Sequence, residues 1–283
     1  MTKKENQPIK DLNDNVIQDF GQEWETYDQS KLTLEEKQSY FKSYFKIFPW
    51  EKISKESKGF DAGCGTGRWA ELFAPKIAEL NCIDPSSAIN IAKVKLEKFS
   101  NCNFIKSRIE DIPLPDESMD FGYSLGVLHH IPDTQKAIND CTRKLKRGAP
   151  FLVYLYYAFD NKPKWFRRIW QVTDMLRRFI SRFPHQIKII LTTLIALIFY
   201  YPFSKLSLLL EKIGIDPNNI PLNTYRNASF YTMRTDSLDR FGTKLEQRFT
   251  KSQIKKMLIN GDLVNITFSN NSPYWCAVGY KKN

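Results

Sequence analysis

Residues 61–67 read Asp-Ala-Gly-Cys-Gly-Thr-Gly, an acid followed by glycines at alternate positions. Glycines spaced this way let the main chain turn tightly and let a ligand reach it without meeting a Cβ. The apolar stretch 59–62 reads as a strand running into the turn, and helix-forming residues follow from Arg68. Strand, glycine turn and helix N-terminus together make the nucleotide-facing corner of a doubly wound sheet. A dinucleotide loop would carry its third glycine where Arg68 stands, and no Gly-Lys-Ser/Thr ending marks a phosphate cradle. Asp61 at the head of the loop suits a cationic ligand better than a pyrophosphate. Asp84, in Cys-Ile-Asp-Pro-Ser, closes a second strand about twenty residues on, the spacing of an acid that takes a ribose diol. A carboxylate can accept both hydroxyl protons; an Asp that merely opens a turn at Pro85 is the alternative.

With Asp61, Gly63, Gly65 and Gly67 in this order, the chain resembles the class I S-adenosylmethionine-dependent methyltransferases, whose first motif is Asp/Glu-x-Gly-x-Gly-x-Gly. The resemblance implies S-adenosylmethionine as cofactor. Its amino acid end would lie against the three glycines, and Asp84 would hold its ribose. Glu110-Asp111-Ile112 matches the family's adenine-contacting segment, with Asp111 as acceptor of the exocyclic amine and Ile109 and Ile112 as walls; an acidic surface turn before Pro113 is the alternative. Residues 124–133, Ser-Leu-Gly-Val-Leu-His-His-Ile-Pro-Asp, resemble the fourth motif of members that methylate small molecules and lipids. Leu125 then lies along the sulfonium end, and His129 and His130 face the catalytic mouth. A neutral imidazole could take a proton from a hydroxyl nucleophile, His130 ranking above His129. A packing role for both histidines is the competing reading. No metal is expected, because the three histidines lie apart from the cysteines.

The elements that must position these groups alternate in type. Strands are expected over 59–62, 80–83, 103–106, 119–124 and 150–157, with helices over 68–78, 87–99 and 134–146 between them. A helix capped by Thr250 over 251–259 precedes two closing strands, 263–269 and 274–280. The reversed last strand agrees with the resembling family, which implies an α/β fold: a doubly wound, mostly parallel, seven-stranded Rossmann-like sheet. Residues 58–157 and 250–283 form the expected cofactor-binding core. Residues 1–57 form a helical lid, whose first part, 1–14, reads as polar and loose, and whose Thr33-Leu-Glu-Glu36 is a capping box. Trp24 and Tyr27 either cover the cofactor or belong to the core.

Residues 158–249 form a helical insertion after strand 5. An uncharged run between Lys188 and Lys205, interrupted by Pro202, falls short of the roughly twenty residues a spanning helix needs. A buried helix is the first reading of 186–204, a peripheral membrane contact the second and a span the third. Residues 216–235 read as loop; Arg226, Tyr231 and Arg234 there would bind a polar or anionic part of the substrate, or else form internal salt bridges.

A formal net charge of +11 permits an anionic partner without choosing one. Five scattered cysteines and a polar start with no apolar core behind it point to reduced thiols and a cytoplasmic protein, with peripheral membrane contact as an option. The expected activity is methyl transfer to a small, lipid-like or glycan-type acceptor. The rivals are a non-catalytic cofactor binder and a nucleic-acid methyltransferase. The second is disfavoured because Ser124-Leu-Gly-Val stands where amino-methylating members carry Asn/Asp-Pro-Pro-Tyr/Phe.

Overall fold

A computed structural model describes the main chain over residues 7–283 and side chains from Asp14 on. The chain runs α1 (Gln7–Thr26), α2 (Leu34–Tyr44), β1 (Lys58–Ala62), α3 (Ala70–Phe73), β2 (Glu79–Ile83), α4 (Ala88–Lys95), β3 (Cys102–Ile105), β4 (Phe121–Leu125), α5 (Thr134–Arg143) and β5 (Pro150–Tyr154). Then come α6 (Lys164–Ile180), α7 (His185–Ile195), α8 (Tyr201–Lys212), α9 (Phe230–Gly242), α10 (Lys251–Asn260), β6 (Leu263–Phe268) and β7 (Cys276–Lys281). The seven strands form one sheet in the order β3-β2-β1-β4-β5-β7-β6. All pairs through β5 are parallel, and β7 joins β5 and β6 antiparallel. The expected fold class is the observed one.

Contacts divide the chain into two units. Among the described residues, the first comprises 7–29, Lys37–Ala158 and Leu245–Asn283; the second comprises Ser30–Glu36 and Phe159–Lys244.

In the first unit the sheet has a core on each face. Strand side chains alternate between faces, so Phe121, Tyr123 and Leu125 of β4 join Leu152 and Val278 on one side. Phe60 and Ala62 of β1 join Phe151 and Val153 on the other. The expected helix over 68–78 is only one turn long, because Pro75 lacks the N–H that would continue it and a 3-10 turn, Ala74–Lys76, takes over. Thr250 and Gln253 cap α10 reciprocally, as its sequence predicts. Residues 1–6 of the stretch read as loose lie outside the described residues, and from Gln7 on that reading is corrected, since α1 begins there.

In the second unit α6 and α7 both pack on α9, around a small core of Ile180, Ala196, Tyr200, Met233 and Phe241. Ser229 caps α9 by accepting the Thr232 N–H at 3.2 Å, and Glu36 takes both hydroxyls of that pair. The loop reading of 216–235 is therefore corrected from Phe230 on, which places Tyr231 and Arg234 on a helix. His185 to Lys212 is one continuous helix, α7 and α8 joined by a π turn at Ala196–Tyr200. The wider turn sits just before Pro202, where a regular helix would drive the proline ring into a carbonyl.

Candidate active site

The glycine loop is held by the end of the neighbouring strand. Gly63 and Cys64 donate their N–H groups to the Ile83 carbonyl at 2.7 and 3.0 Å, and Gly65 donates to the Asp84 carboxylate at 2.9 Å. Asp84 also takes the Ser86 N–H at 2.9 Å and its hydroxyl at 2.6 Å. The acid predicted to hold a ribose thus also builds the loop beside it. Gly63 has φ +82°, and a Cβ there would lie 2.4 Å from Val127, the residue after the β4 turn. Side chains rarely adopt that φ, so this position needs glycine for conformation and for space.

Asp61 is fully buried, and among the described residues neither of its oxygens meets a partner at hydrogen-bond geometry. Tyr123 stands across from it in register on β4. Burial pushes the Asp61 carboxyl well above the usual range; the approach of the Tyr123 hydroxyl, too loose for a formed hydrogen bond, opposes that shift and the Asp84 charge adds to it. Burial also raises Asp84, against the bonds from Ser86 and Gly65. A fully buried carboxyl without a partner costs free energy that a cationic ligand would recover.

Helix α1 crosses the mouth of this site. The Trp24 indole lies 3.5 Å from the position of a Cβ on Gly65. One turn earlier, the Phe20 ring sits 4.8 Å from the His130 ring, edge on. Gly21 fits against Ser87, whose hydroxyl donates to Glu25 at 2.6 Å, and Asp14 pairs with Arg108 beyond β3. Gln29 accepts the Thr66 hydroxyl at 3.1 Å. One helix thus touches the segments after β1, β2, β3 and β4. Trp24 is half-buried against the glycine loop, while Tyr27 is buried at 3% exposure.

The histidines differ in what their rings do. His130 Nδ1 lies 2.7 Å from the Leu245 carbonyl. A carbonyl only accepts, so in the neutral ring Nδ1 carries the hydrogen and Nε2 the lone pair. His129 is reversed: the Tyr156 N–H donates to its Nδ1 at 3.4 Å, which puts the hydrogen on Nε2. Its ring stacks on Tyr156 with centroids 3.8 Å apart. Burial, with His130 and Arg248 adding to it, holds the His129 pKa well below the ordinary imidazole value. Gln247 anchors the turn by donating to the Ile131 carbonyl at 2.8 Å.

Leu125 is buried beneath the site, and Gly126 after it has φ +81° with open space where a Cβ would be. Asp111 is exposed in the 3-10 turn after β3, whereas Ile109 and Ile112 are buried in the core. Arg226, Tyr231 and Arg234 belong to the second unit, where Arg226 forms a two-pronged ion pair with Glu211 at 2.8 and 2.9 Å. Sequence reasoning missed Tyr123, Tyr156, Gly126 and Gln247. Only Gly126, inside the recognised 124–133 segment, carried a signal that could have been read. A polar cleft lined by Lys52, Asp120, Lys146 and Arg147 lies by the strands' N-terminal ends, away from this site.

Seven strands in this order, with a reversed β7 and a glycine loop after β1, define a doubly wound nucleotide-type site. The family description "Methyltransferase domain" matches residues 60–153. The chain is 30% identical over 166 residues to the ubiquinone/menaquinone biosynthesis C-methyltransferase of Campylobacter jejuni, with 52% of this chain and 65% of that protein aligned. It is 30% identical over 122 residues to a sterol 4-C-methyltransferase of Caenorhabditis elegans, with 39% of this chain and 36% of that one aligned. The chain thus spans just under two thirds of the first relative's length. A methyltransferase candidate from Bacillus halodurans shares the fold, with a TM-score of 0.51 at 14% identity over 82% of this chain and 72% of that one. Residues 60–153 are thus similar to the methyltransferase domain, and the fold is the one that class I S-adenosylmethionine-dependent methyltransferases share.

Proposed function

We propose that this protein transfers a methyl group from S-adenosylmethionine to a small, lipid-like acceptor. The observation that carries the reading is Asp61, a buried and unpartnered carboxyl beneath a glycine loop on which an ammonium-bearing ligand would rest. Gly63, Gly65 and Gly67 would receive the cofactor's amino acid end, Asp84 its ribose and Asp111 its adenine. The open space at Gly126 leaves room beside Leu125. The bound cofactor supplies a methyl group already activated on a sulfonium.

What this chain adds is position, exclusion of water and control of one proton. Trp24 and Phe20 cover the site from α1. The lone pair on His130 Nε2 would accept the proton of a hydroxyl or an acidic carbon, with Leu245 holding the ring's tautomer. His129, its lone pair already used by Tyr156, orients the turn and is not the base. The relatives' names, C-methylation in quinone biosynthesis and of a sterol, favour a lipid-like acceptor over a glycan.

Calorimetry with S-adenosylmethionine tests the cofactor reading. Binding that weakens at least tenfold in Asp61→Asn is expected, and no binding by the native chain would sink it. Turnover to S-adenosylhomocysteine with membrane-lipid extract, and none with the water-soluble fraction, is expected for the acceptor.

A further inference from the structure

The helix from His185 to Lys212 is inside out. Its buried stripe is Lys188, Thr192, Ala196, Tyr200, Ser204 and Ser207, mostly small or polar. These residues meet α9 of the same unit, where Ser237 donates to the Thr192 carbonyl at 2.9 Å and Ser204 sits 3.9 Å from the Met233 sulfur. The face turned outward is apolar: Ile190, Leu194, Leu197, Ile198, Phe199 and Leu206 are exposed, Ile190 at 60%. A helix in water buries its apolar stripe and solvates its polar one. The first reading of 186–204, a buried helix, is therefore overturned.

Helix α6 repeats the pattern independently. Trp165, Ile169, Val172, Leu176 and Phe179 recur at spacings of three and four along one exposed stripe, with Val172 61% exposed. The opposite side holds Asp174 and Arg177, buried and paired at 2.7 Å. Exposed Lys164 and Arg168 flank the apolar stripe, with Arg182 just past the helix end, while Arg178 turns to Asp174 at 2.9 Å. Contiguous exposed apolar surface on this scale marks an interaction face. A row of cations beside it matches anionic headgroups over a hydrocarbon layer.

We propose that the second unit docks on the surface of an anionic lipid bilayer, with the apolar stripes of α6 and the His185–Lys212 helix in the interfacial layer and the α6 cations on the headgroups. A single span by the long helix would leave the α6 stripe unexplained and would carry Lys188 or Lys205 into hydrocarbon. Docking in the plane of the interface accounts for both helices. It stands on the second unit alone and does not depend on methyl transfer.

Flotation of the full chain tests this, using vesicles of phosphatidylcholine with or without one part in three phosphatidylglycerol. Recovery with the anionic vesicles is expected to exceed that with neutral ones several-fold and to fall with added salt. Ile190→Gln/Leu194→Gln/Leu197→Gln and Ile169→Gln/Val172→Gln/Leu176→Gln should each lose flotation while keeping the native helical circular-dichroism signal and unfolding transition, which shows that they fold. Lys164→Gln/Arg168→Gln should lower partitioning about 10- to 30-fold on anionic vesicles. A native chain that floats with neither vesicle overturns the proposal, as do glutamine variants that float like the native chain. Concentration-dependent dimers lost in the same variants, without flotation, would assign the face to a second copy and overturn it equally.

Discussion

The carboxylate of Asp84 accepts the N–H of Gly65 at 2.9 Å, tying the end of β2 to the glycine loop that leaves β1. Its other oxygen holds Ser86, whose hydroxyl in turn accepts the Ala88 N–H at the start of α4 at 3.2 Å. One side chain therefore sets the loop, the turn after β2 and the entry to a helix. Asp84→Ala is expected to cost about 1–3 kcal/mol of stability from stranded donors. It should weaken S-adenosylmethionine binding by more than that loss predicts for a ribose contact alone. Asp84→Asn should recover part of the stability and little of the binding. Denaturant melts beside calorimetry separate the two.

Proton release should accompany cofactor binding. Burial raises the free Asp61 carboxyl, so the apo site holds a proton above pH 3.8, the ordinary value. A bound ammonium favours the carboxylate, lowers that pKa and expels the proton. Between the ordinary value and the raised one, the measured heat of binding should therefore vary with the ionisation heat of the buffer. Asp61→Asn should abolish the variation. The same shift makes Asp61 a stabilising group only while protonated, so its contribution fades as pH rises through the raised pKa.

The two histidines should separate kinetically. Removing a positioned base costs about 10²–10⁴ in rate, so His130→Gln should lower kcat by that order and leave cofactor affinity within a few-fold of native. His129→Gln should instead act on stability. Its folded pKa lies below the unfolded value of 6.5. Native stability must then fall as pH drops below 6.5, by up to about 1.4 kcal/mol per pH unit. A flatter pH-stability curve in His129→Gln would confirm the assignment; an unchanged one would refute it.

Local patterns carried the sheet and the loop. Short, largely apolar segments alternating with helical ones marked the strands, and Asp61, Asp84 and 124–133 marked the site's order along the chain. What escaped depended on partners far off in sequence. Tyr123 matters because β4 lies beside β1 in register with Asp61. The difference between His129 and His130 depends on Tyr156 and on Leu245, the latter 115 residues away. The 186–204 run misled because composition shows that a helix is apolar, not which side of it meets the rest of the unit.

Gly63 offers the sharpest steric test. Its φ of +82° is strained for any side chain, and the Cβ of an alanine would sit 2.4 Å from a Val127 methyl. The positive φ alone costs on the order of 1–2 kcal/mol, and the overlap adds overpacking of about 1–3 kcal/mol. Gly63→Ala should thus unfold several degrees earlier and lose most cofactor binding. Val127→Ala made in the same chain removes the two methyls at 2.4 and 2.5 Å, keeps its own Cβ at 2.9 Å and leaves the φ strain untouched. The pair should therefore recover most of the overpacking part and none of the φ part, and the double mutant should stay less stable than Val127→Ala by at least about 1–2 kcal/mol. Full recovery would show that space, not backbone conformation, is what demands glycine there. No recovery would show that the β4 turn does not press on the loop.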